Sequence, residues 1–383
     1  MPLMTRALIS IAVAAALLAG APAAEAAKRK VPQGFYGVMW DRGATWAPAE
    51  VQEAHWALMA QSGVETVRVV FSWAAAQPVA GTRPDLLRTD ELVARAARHN
   101  IRVLPIVLDT PDWAARNPGA VGSPPEHIGA YTAFLRSLVL RYGPGGSFWD
   151  EHADLPQIHL RDWQIWNEPH LGVYWNTDGR SKNAWAREYA RLLKASKPAI
   201  ESIDPGARIV LAGLADFAWR HFDRLRRYRV RRHFDVAALN FFTSRPRNVM
   251  KGVRFFRRAL RRGGARRKPI WITETTWPAG VGRIAEPRSA WQRAWYTTDE
   301  GMASRLRTLY RLAARNRRKL RLGRVYWYTW SSSYSHSRDL FDYSGLVRYL
   351  DDESESRLAL EAYRASAQRY QGCVKTPEGA CAP

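Results

Sequence analysis

The stretch Asp162-Trp163-Gln164-Ile165-Trp166-Asn167-Glu168-Pro169-His170 decides how the chain is read. It is an aromatic strand that runs into Asn167, Glu168 and Pro169, and proline, which has no N–H to give a ladder, ends the pairing there. A carboxylate therefore stands where a strand stops. In a barrel of alternating strands and helices that is where chemistry is placed, because eight loops converge at the strand C-termini over a packed, inert core. Glu168 is thus the first candidate catalytic group. Asn167 beside it suits a hydrogen bond to a hydroxyl, and Trp163 and Trp166 offer flat apolar faces. A surface Glu-Pro turn looks the same in isolation, so the flanking sequence has to decide.

Working outward, three further runs precede this strand, at Phe35 to Trp40, Thr66 to Trp73 and Ile101 to Leu108. Four follow it, at Ala207 to Leu214, Asp235 to Phe242, Pro269 to Thr273 and Arg324 to Trp330. Helical stretches separate them. Pro48 to Ser62 carries the stripe Val51, Ala54, Leu58, Met59, and Gly63 ends it. Thr89 caps the next helix, with Leu92, Val93 and Ala96 on one side and Asn100 at its close. Ile128 to Tyr142 stops at Gly143, and Asn183 to Ser202 stops before Asp204-Pro205-Gly206. An arginine-rich helix comes before the sixth strand. The one near Val253 to Arg262 turns Val253, Phe256 and Leu260 inward and Arg254, Arg257, Arg258 and Arg261 outward. Met302, Leu306, Leu309 and Ala313 mark another, and Leu358 to Tyr370 the last. Strict alternation implies parallel strands, and eight units in a ring need no edges. The expected fold is α/β, a single (β/α)8 TIM barrel over residues 31–370, preferred to an open doubly wound sheet.

Composition narrows the class. The hydrophobic fraction of 46% and charged fraction of 24% are those of a globular chain with ample core. Arg6, an apolar run from Ala7 to Ala19 and small residues through Ala26 form a secretory signal pattern over 1–26, so the mature protein is expected outside the cell. That run is too short to span a bilayer well, and no second stretch approaches it. Cys373 and Cys381, the two cysteines, fall in a C-terminal tail at 371–383 and are expected to pair in an oxidising compartment. The net charge of +23 includes six arginines between Arg224 and Arg232; both this cluster and the Arg254 stripe are expected on outer helices. A solvated face is the ordinary account of such charge, with electrostatic contact to an anionic cell-wall polymer as a further partner. No glycine-rich phosphate loop, zinc-spaced Cys or His, or Gly-x-Ser-x-Gly elbow is present, so no cofactor, no metal and no specific nucleic acid is expected. The chain is expected to act as a monomer.

A second glutamate ends a second strand. Glu274 closes the seventh as Glu168 closes the fourth, so both should face one bowl. Glycosidic cleavage needs such a pair: one carboxyl protonates the leaving oxygen, and the other attacks or stabilises the anomeric carbon. Arg68, a charge within the apolar second strand, needs an anion, and a carboxylate at the barrel mouth supplies one. Asn240, Trp73, Trp113 and Trp330, at or just beyond strand ends, are candidate substrate contacts; Trp40, Trp175 and Trp277 stand in similar places.

Trp166-Asn167-Glu168-Pro169 and Thr273-Glu274 resemble the acid/base and nucleophile signatures of the clan of retaining glycoside hydrolases built on (β/α)8 barrels. Within it, Val67 to Trp73, Gln77-Pro78 and Thr110-Pro111-Asp112-Trp113-Ala114 resemble the xylosidase-like and iduronidase-like family thirty-nine, with the cellulase-like family five close behind. The resemblance implies Glu168 as general acid/base, Glu274 as nucleophile, Asn167 as the ligand of the sugar 2-hydroxyl, Arg68 as the partner of Glu274 and Trp330 as the floor of the subsite for the attacked sugar. It also implies a carbohydrate substrate. One departure stands out: the clan often carries His-x-Tyr at the end of strand six, whose tyrosine bonds the nucleophile, where this chain has Asn240-Phe241-Phe242. Either Tyr326, Tyr328 or Tyr334 replaces that donor, or Glu274 rests on Arg68 alone. The rival expectation is a catalytically weak barrel that binds a glycan or polyanion.

Overall fold

The computed structural model describes residues 28–40, 47–181, 183–287, 289–332, 339–350 and 353–382; the expected secretory signal at 1–26 and Tyr334 lie outside them. Among the described residues, eight strands form one parallel sheet: β1 (Tyr36–Met39), β2 (Thr66–Ser72), β3 (Arg102–Leu108), β4 (Asp162–Ile165), β5 (Arg208–Val210), β6 (Ala237–Asn240), β7 (Ile270–Glu274) and β8 (Leu322–Tyr328). Their order is β5-β4-β3-β2-β1-β8-β7-β6. The two ends of that row meet through the parallel bridges Val210–Val236 and Leu214–Leu239, with Leu211 N donating to Val236 O at 2.9 Å and Asn240 N to Leu214 O at 3.1 Å. The ring is thereby closed.

Around it run α1 (Ala49–Gln61), α2 (Leu87–Arg98), α3 (Ile128–Tyr142), α4 (Ala184–Glu201), α5 (Ala218–Leu225), α6 (Pro246–Arg262), α7 (Asp299–Leu320) and α8 (Leu358–Gln371), each following the strand of the same number. A small sheet of β9 (Ser331–Ser332), β10 (Val347–Leu350) and β11 (Glu353–Ser356) fills the connection from β8 to α8. The barrel strands are apolar on both faces because both are covered. One face meets the helices. The other builds an inner cluster of Leu104, Val210, Val236, Ala238, Trp271 and Tyr326. At the N-terminal end of the ring Asp162 accepts from Arg208 at 2.6 Å and from Arg324 at 2.9 Å, and the Arg324 guanidinium lies 4.0 Å from the Trp271 ring centre. Charge thus plugs the floor, and the C-terminal end is left open for a site.

The expected α/β barrel is the observed fold, with local corrections. The buried face of α1 is Gln52, His55, Trp56, Met59 and Ala60, not the stripe through Val51 and Ala54; Trp56 and His55 bury more area and turn the helix toward themselves. Thr89 lies inside α2, where its Oγ1 donates to Leu86 O at 2.8 Å, so Leu86 and not Thr89 stands at the cap. Arg257 does not face outward on α6. It is buried and donates to Leu320 O at 2.8 Å and to Lys268 O at 2.8 Å, closing the C-terminal end of α7. The arginine-rich stretch is the end of α5 followed by two 3-10 turns, Arg226–Tyr228 and Val230–Arg232, rather than one helix. Cys373 and Cys381 are bonded. Their ring packs against the end of α2, where His99 Nδ1 meets Pro377 O at 2.8 Å. No helix among the described residues is long and apolar enough to cross a membrane.

Candidate active site

The segments that follow β3, β4 and β5 hold non-glycine residues in left-handed backbone: Asp109 (φ 65°), Trp166 (φ 66°), Glu168 (φ 40°) and Asp216 (φ 47°). Aspartate tolerates that region, but tryptophan and glutamate pay a steric cost of about 1–3 kcal/mol each, which the surroundings must hold in place. They do so here. Trp166 N donates to Val107 O at 3.1 Å and Glu168 N to Gly213 O at 3.1 Å, while the Trp166 indole donates to Tyr174 O at 2.7 Å. The end of β4 is fixed from both neighbouring strands.

Above the strand ends opens a cavity of about 990 Å³, whose lining includes Met39, Asn167, Glu168, Phe242, Glu274 and Tyr328. Both glutamates are nearly enclosed, 7% and 8% exposed. One chain of hydrogen bonds joins them. Glu274 Oε1 accepts from Arg68 Nη1 at 2.6 Å; Arg68 Nη2 donates to Asn167 Oδ1 at 2.8 Å; Asn240 Nδ2 lies 3.3 Å from that same oxygen and donates to Glu168 Oε1 at 2.6 Å. Arg68 is wholly buried, and its Nε donates to Gln164 Oε1 at 2.8 Å. A guanidinium this enclosed is tolerable because carboxylate, amide oxygens and the Met39 sulfur receive its donors.

The two carboxyls differ in charge environment. Burial pushes Glu168 up to about 8, the negative charge of Glu274 pushes the same way, and Asp216 adds a little; the Asn240 hydrogen bond and Arg68 pull against them. Glu168 is therefore a carboxyl that keeps its proton near neutrality. Glu274 instead has the Arg68 guanidinium at 2.6 Å, and an opposite charge at that distance favours the charged form of a carboxyl.

The other expected residues divide. Asn167 lines the cavity, and because its oxygen is turned to Arg68, its NH2 is the free end. Asn240 does not touch the cavity. It is fully buried behind Glu168, where its amide donates to the carboxyl. Trp330 is placed elsewhere: the chain turns at Thr329, whose Oγ1 donates to Met39 O at 2.8 Å, and the buried Trp330 indole donates to His55 Nδ1 at 2.9 Å. Trp73 is buried against Phe134 and bonds Gln77 Oε1 at 2.9 Å, while Trp113, 37% exposed, bonds Gln77 O at 2.8 Å. Both hold the Gln77-Pro78 loop rather than line the cavity. Trp40, Trp175 and Trp277 are buried with their N–H groups bonded to Ser331, Glu188 and Thr243. Tyr326 lies in the inner cluster beside Arg324, away from the glutamates.

The sequence reading missed the aromatic wall. Phe242, Tyr328 and Phe341 meet edge to face, with centres 6.2, 5.0 and 5.2 Å apart for the three pairs, and all line the cavity. Tyr328, the last residue of β8, was expected as a candidate donor and not as part of a wall; Phe341, in a 3-10 turn beyond a long connection, carried no pattern. Gln164, Thr273 and Gly213 were also missed. Among the described residues no group of three or more His, Cys, Asp and Glu is placed to hold a metal ion.

No protein-family model and no curated protein matches the chain. Solved structures do. A family 39 glycoside hydrolase from the gut symbiont Bacteroides cellulosilyticus superposes with TM-score 0.67 at 15% identity over 89% of this chain and 64% of its own, so this chain spans less than two thirds of that protein. A monomeric β-xylosidase from Caulobacter crescentus gives 0.62 at 16% identity, covering 88% of this chain and 69% of that one. A family 5 mannosidase from Rhizomucor miehei gives 0.55 at 12% identity, covering 89% and 95%. At these identities the likeness is one of fold.

Proposed function

We propose that this chain is an exported, monomeric retaining glycoside hydrolase that cleaves an oligo- or polysaccharide by double displacement, with Glu274 as nucleophile and Glu168 as general acid/base. The observation that carries this is the pair of carboxyls on β4 and β7, lining one cavity, one held charged by Arg68 and the other pushed up by burial. The similar structures, among them a xylosidase and a mannosidase, support it. In the first step the Glu274 carboxylate forms a bond to the anomeric carbon as Glu168 gives its proton to the departing oxygen. The ester that results has lost the negative charge of Glu274. Glu168 then feels one repulsion fewer, its proton affinity falls, and it can take a proton from the water that releases the sugar. Asn167 offers its NH2 to a sugar hydroxyl, and Phe242, Tyr328 and Phe341 give the ring an apolar wall.

The test is a screen of aryl glycosides followed by NMR of the first-formed sugar. Retained configuration is expected; initial release of the inverted anomer would overturn the assignment. Arg254, Arg258 and Arg261 on α6 are exposed, and we place an electrostatic contact with anionic cell-wall polymer on this outer side. Retention on such polymer should weaken as salt rises, and salt-insensitive retention counts against it.

A further inference from the structure

We propose that Thr273 and Asn240 are positioning residues that decide which oxygen of Glu168 carries the transferable proton, keeping Oε1 a permanent acceptor so that the proton resides on Oε2. This rests on the acid/base role proposed for Glu168. The direction of each bond follows from a single donor-only group. Arg68 has N–H groups and no acceptor, so Asn167 must turn its carbonyl oxygen to Nη2 at 2.8 Å. That oxygen is 3.3 Å from the Asn240 amide, which must therefore present its NH2. The other N–H of that group meets Glu168 Oε1 at 2.6 Å. Asn240 Oδ1 is left to accept from Thr273 Oγ1 at 2.7 Å. A protonated Oε1 is a much weaker acceptor for the N–H aimed at it than a carbonyl oxygen, so the proton is favoured on Oε2.

Space confirms the seat. A Cβ on Gly213 would stand 2.5 Å from Asn240 Oδ1 and 2.7 Å from Nδ2, so a residue without a side chain makes room for the amide. Asn240 and Thr273 are fully buried, and neither lines the cavity, so neither reaches substrate. The charged groups acting on Glu168 are Glu274 from β7, Arg68 from β2 and Asp216 from the segment after β5. Asn240, from β6, is the neutral neighbour and the one that discriminates between the two oxygens.

The experiment is an NMR titration of protein labelled with 13C-carboxyl glutamate, the Glu168 resonance being identified by its loss in Glu168→Gln. Thr273→Val removes the donor to Asn240 Oδ1 and leaves that buried oxygen unpaired, so the amide is held less firmly and its hydrogen bond to the Glu168 carboxylate weakens. The midpoint should rise by about one unit, and the basic limb of kcat/KM should move with it. Thr273→Ser keeps the hydroxyl and should keep the wild-type midpoint. Gly213→Ala crowds the amide from the other side and should raise the midpoint as Thr273→Val does, so the proposal stays testable where one variant fails to fold. A lowered Tm or kcat with an unmoved midpoint in Thr273→Val and Gly213→Ala overturns the proposal, as does a Ser variant that shifts as far as the Val one. If the midpoints shift as expected while the wild type hydrolyses no glycoside, the relay holds and the hydrolase assignment fails.

Discussion

The β2–β7 side of the cavity and its β4–β6 side each present a glutamate, and they treat it in opposite ways. On the first, Arg68 supplies a full positive charge 2.6 Å from Glu274. On the second, Asn240 supplies only an amide hydrogen to Glu168, and burial does the rest. The same side chain meets a cation in one place and burial beside a like charge in the other, so the division of labour lies in the neighbours and not in the glutamates.

The largest expected effect comes from breaking the charged side. Glu274→Ala should lower kcat on every active substrate by about 10⁴-fold or more, since no covalent intermediate can form; substantial residual turnover with retained configuration would reverse the two roles. Next comes the neutral side. Glu168→Ala should cost about 10²–10⁴-fold on glycosides with poor leaving groups and much less in the first step on activated aryl glycosides. Azide, which needs no base, should restore turnover there, measured by formation of the glycosyl azide. A smaller effect sharpens the contrast in pH. The first step needs Glu168 protonated, so kcat/KM should fall as pH rises through about 8. The same shift acts on stability: a carboxyl whose folded pKa is raised favours the folded state below its unfolded pKa, and that contribution is lost as pH rises through the folded value. Glu168→Gln should therefore raise Tm relative to wild type at pH 9 and not at pH 4. The smallest effect belongs to the opposite end of the molecule. Replacing Cys373 and Cys381 with serine should leave kcat unchanged and lower Tm by a few degrees at most, because a ring of this length removes little chain entropy; a large fall would make the tail integral to the barrel.

What the sequence made legible follows period and position. Eight apolar runs alternating with amphipathic ones leave few arrangements other than a ring, and Glu168, Glu274 and Arg68 were visible because charge is rare in such runs. Side-chain direction beyond a strand end was not visible. Trp330 stands two residues past Tyr328, and only the turn at Thr329 determines that the indole goes to His55 and the phenol to the cavity. Asn240 looked like a substrate contact because it ends a strand; its burial depends on Gly213, in the segment after β5, and on Thr273 of β7. Such three-body placements leave no trace in local spacing. Arg257 escaped for a similar reason, since the carbonyls that receive it come from α7 and from the segment before β7.

The join between β5 and β6 is made by isolated bridges, whereas the ladder from β2 to β3 runs in unbroken register over seven residue pairs. Gly213 and Asn240 stand at opposite lips of that join. A momentary parting of the ring there would draw the amide off Glu168 while Arg68 and Glu274, seated on β2 and β7, stayed together. An opening at that join would therefore act on the contacts of Glu168 and leave the Arg68–Glu274 pair in place.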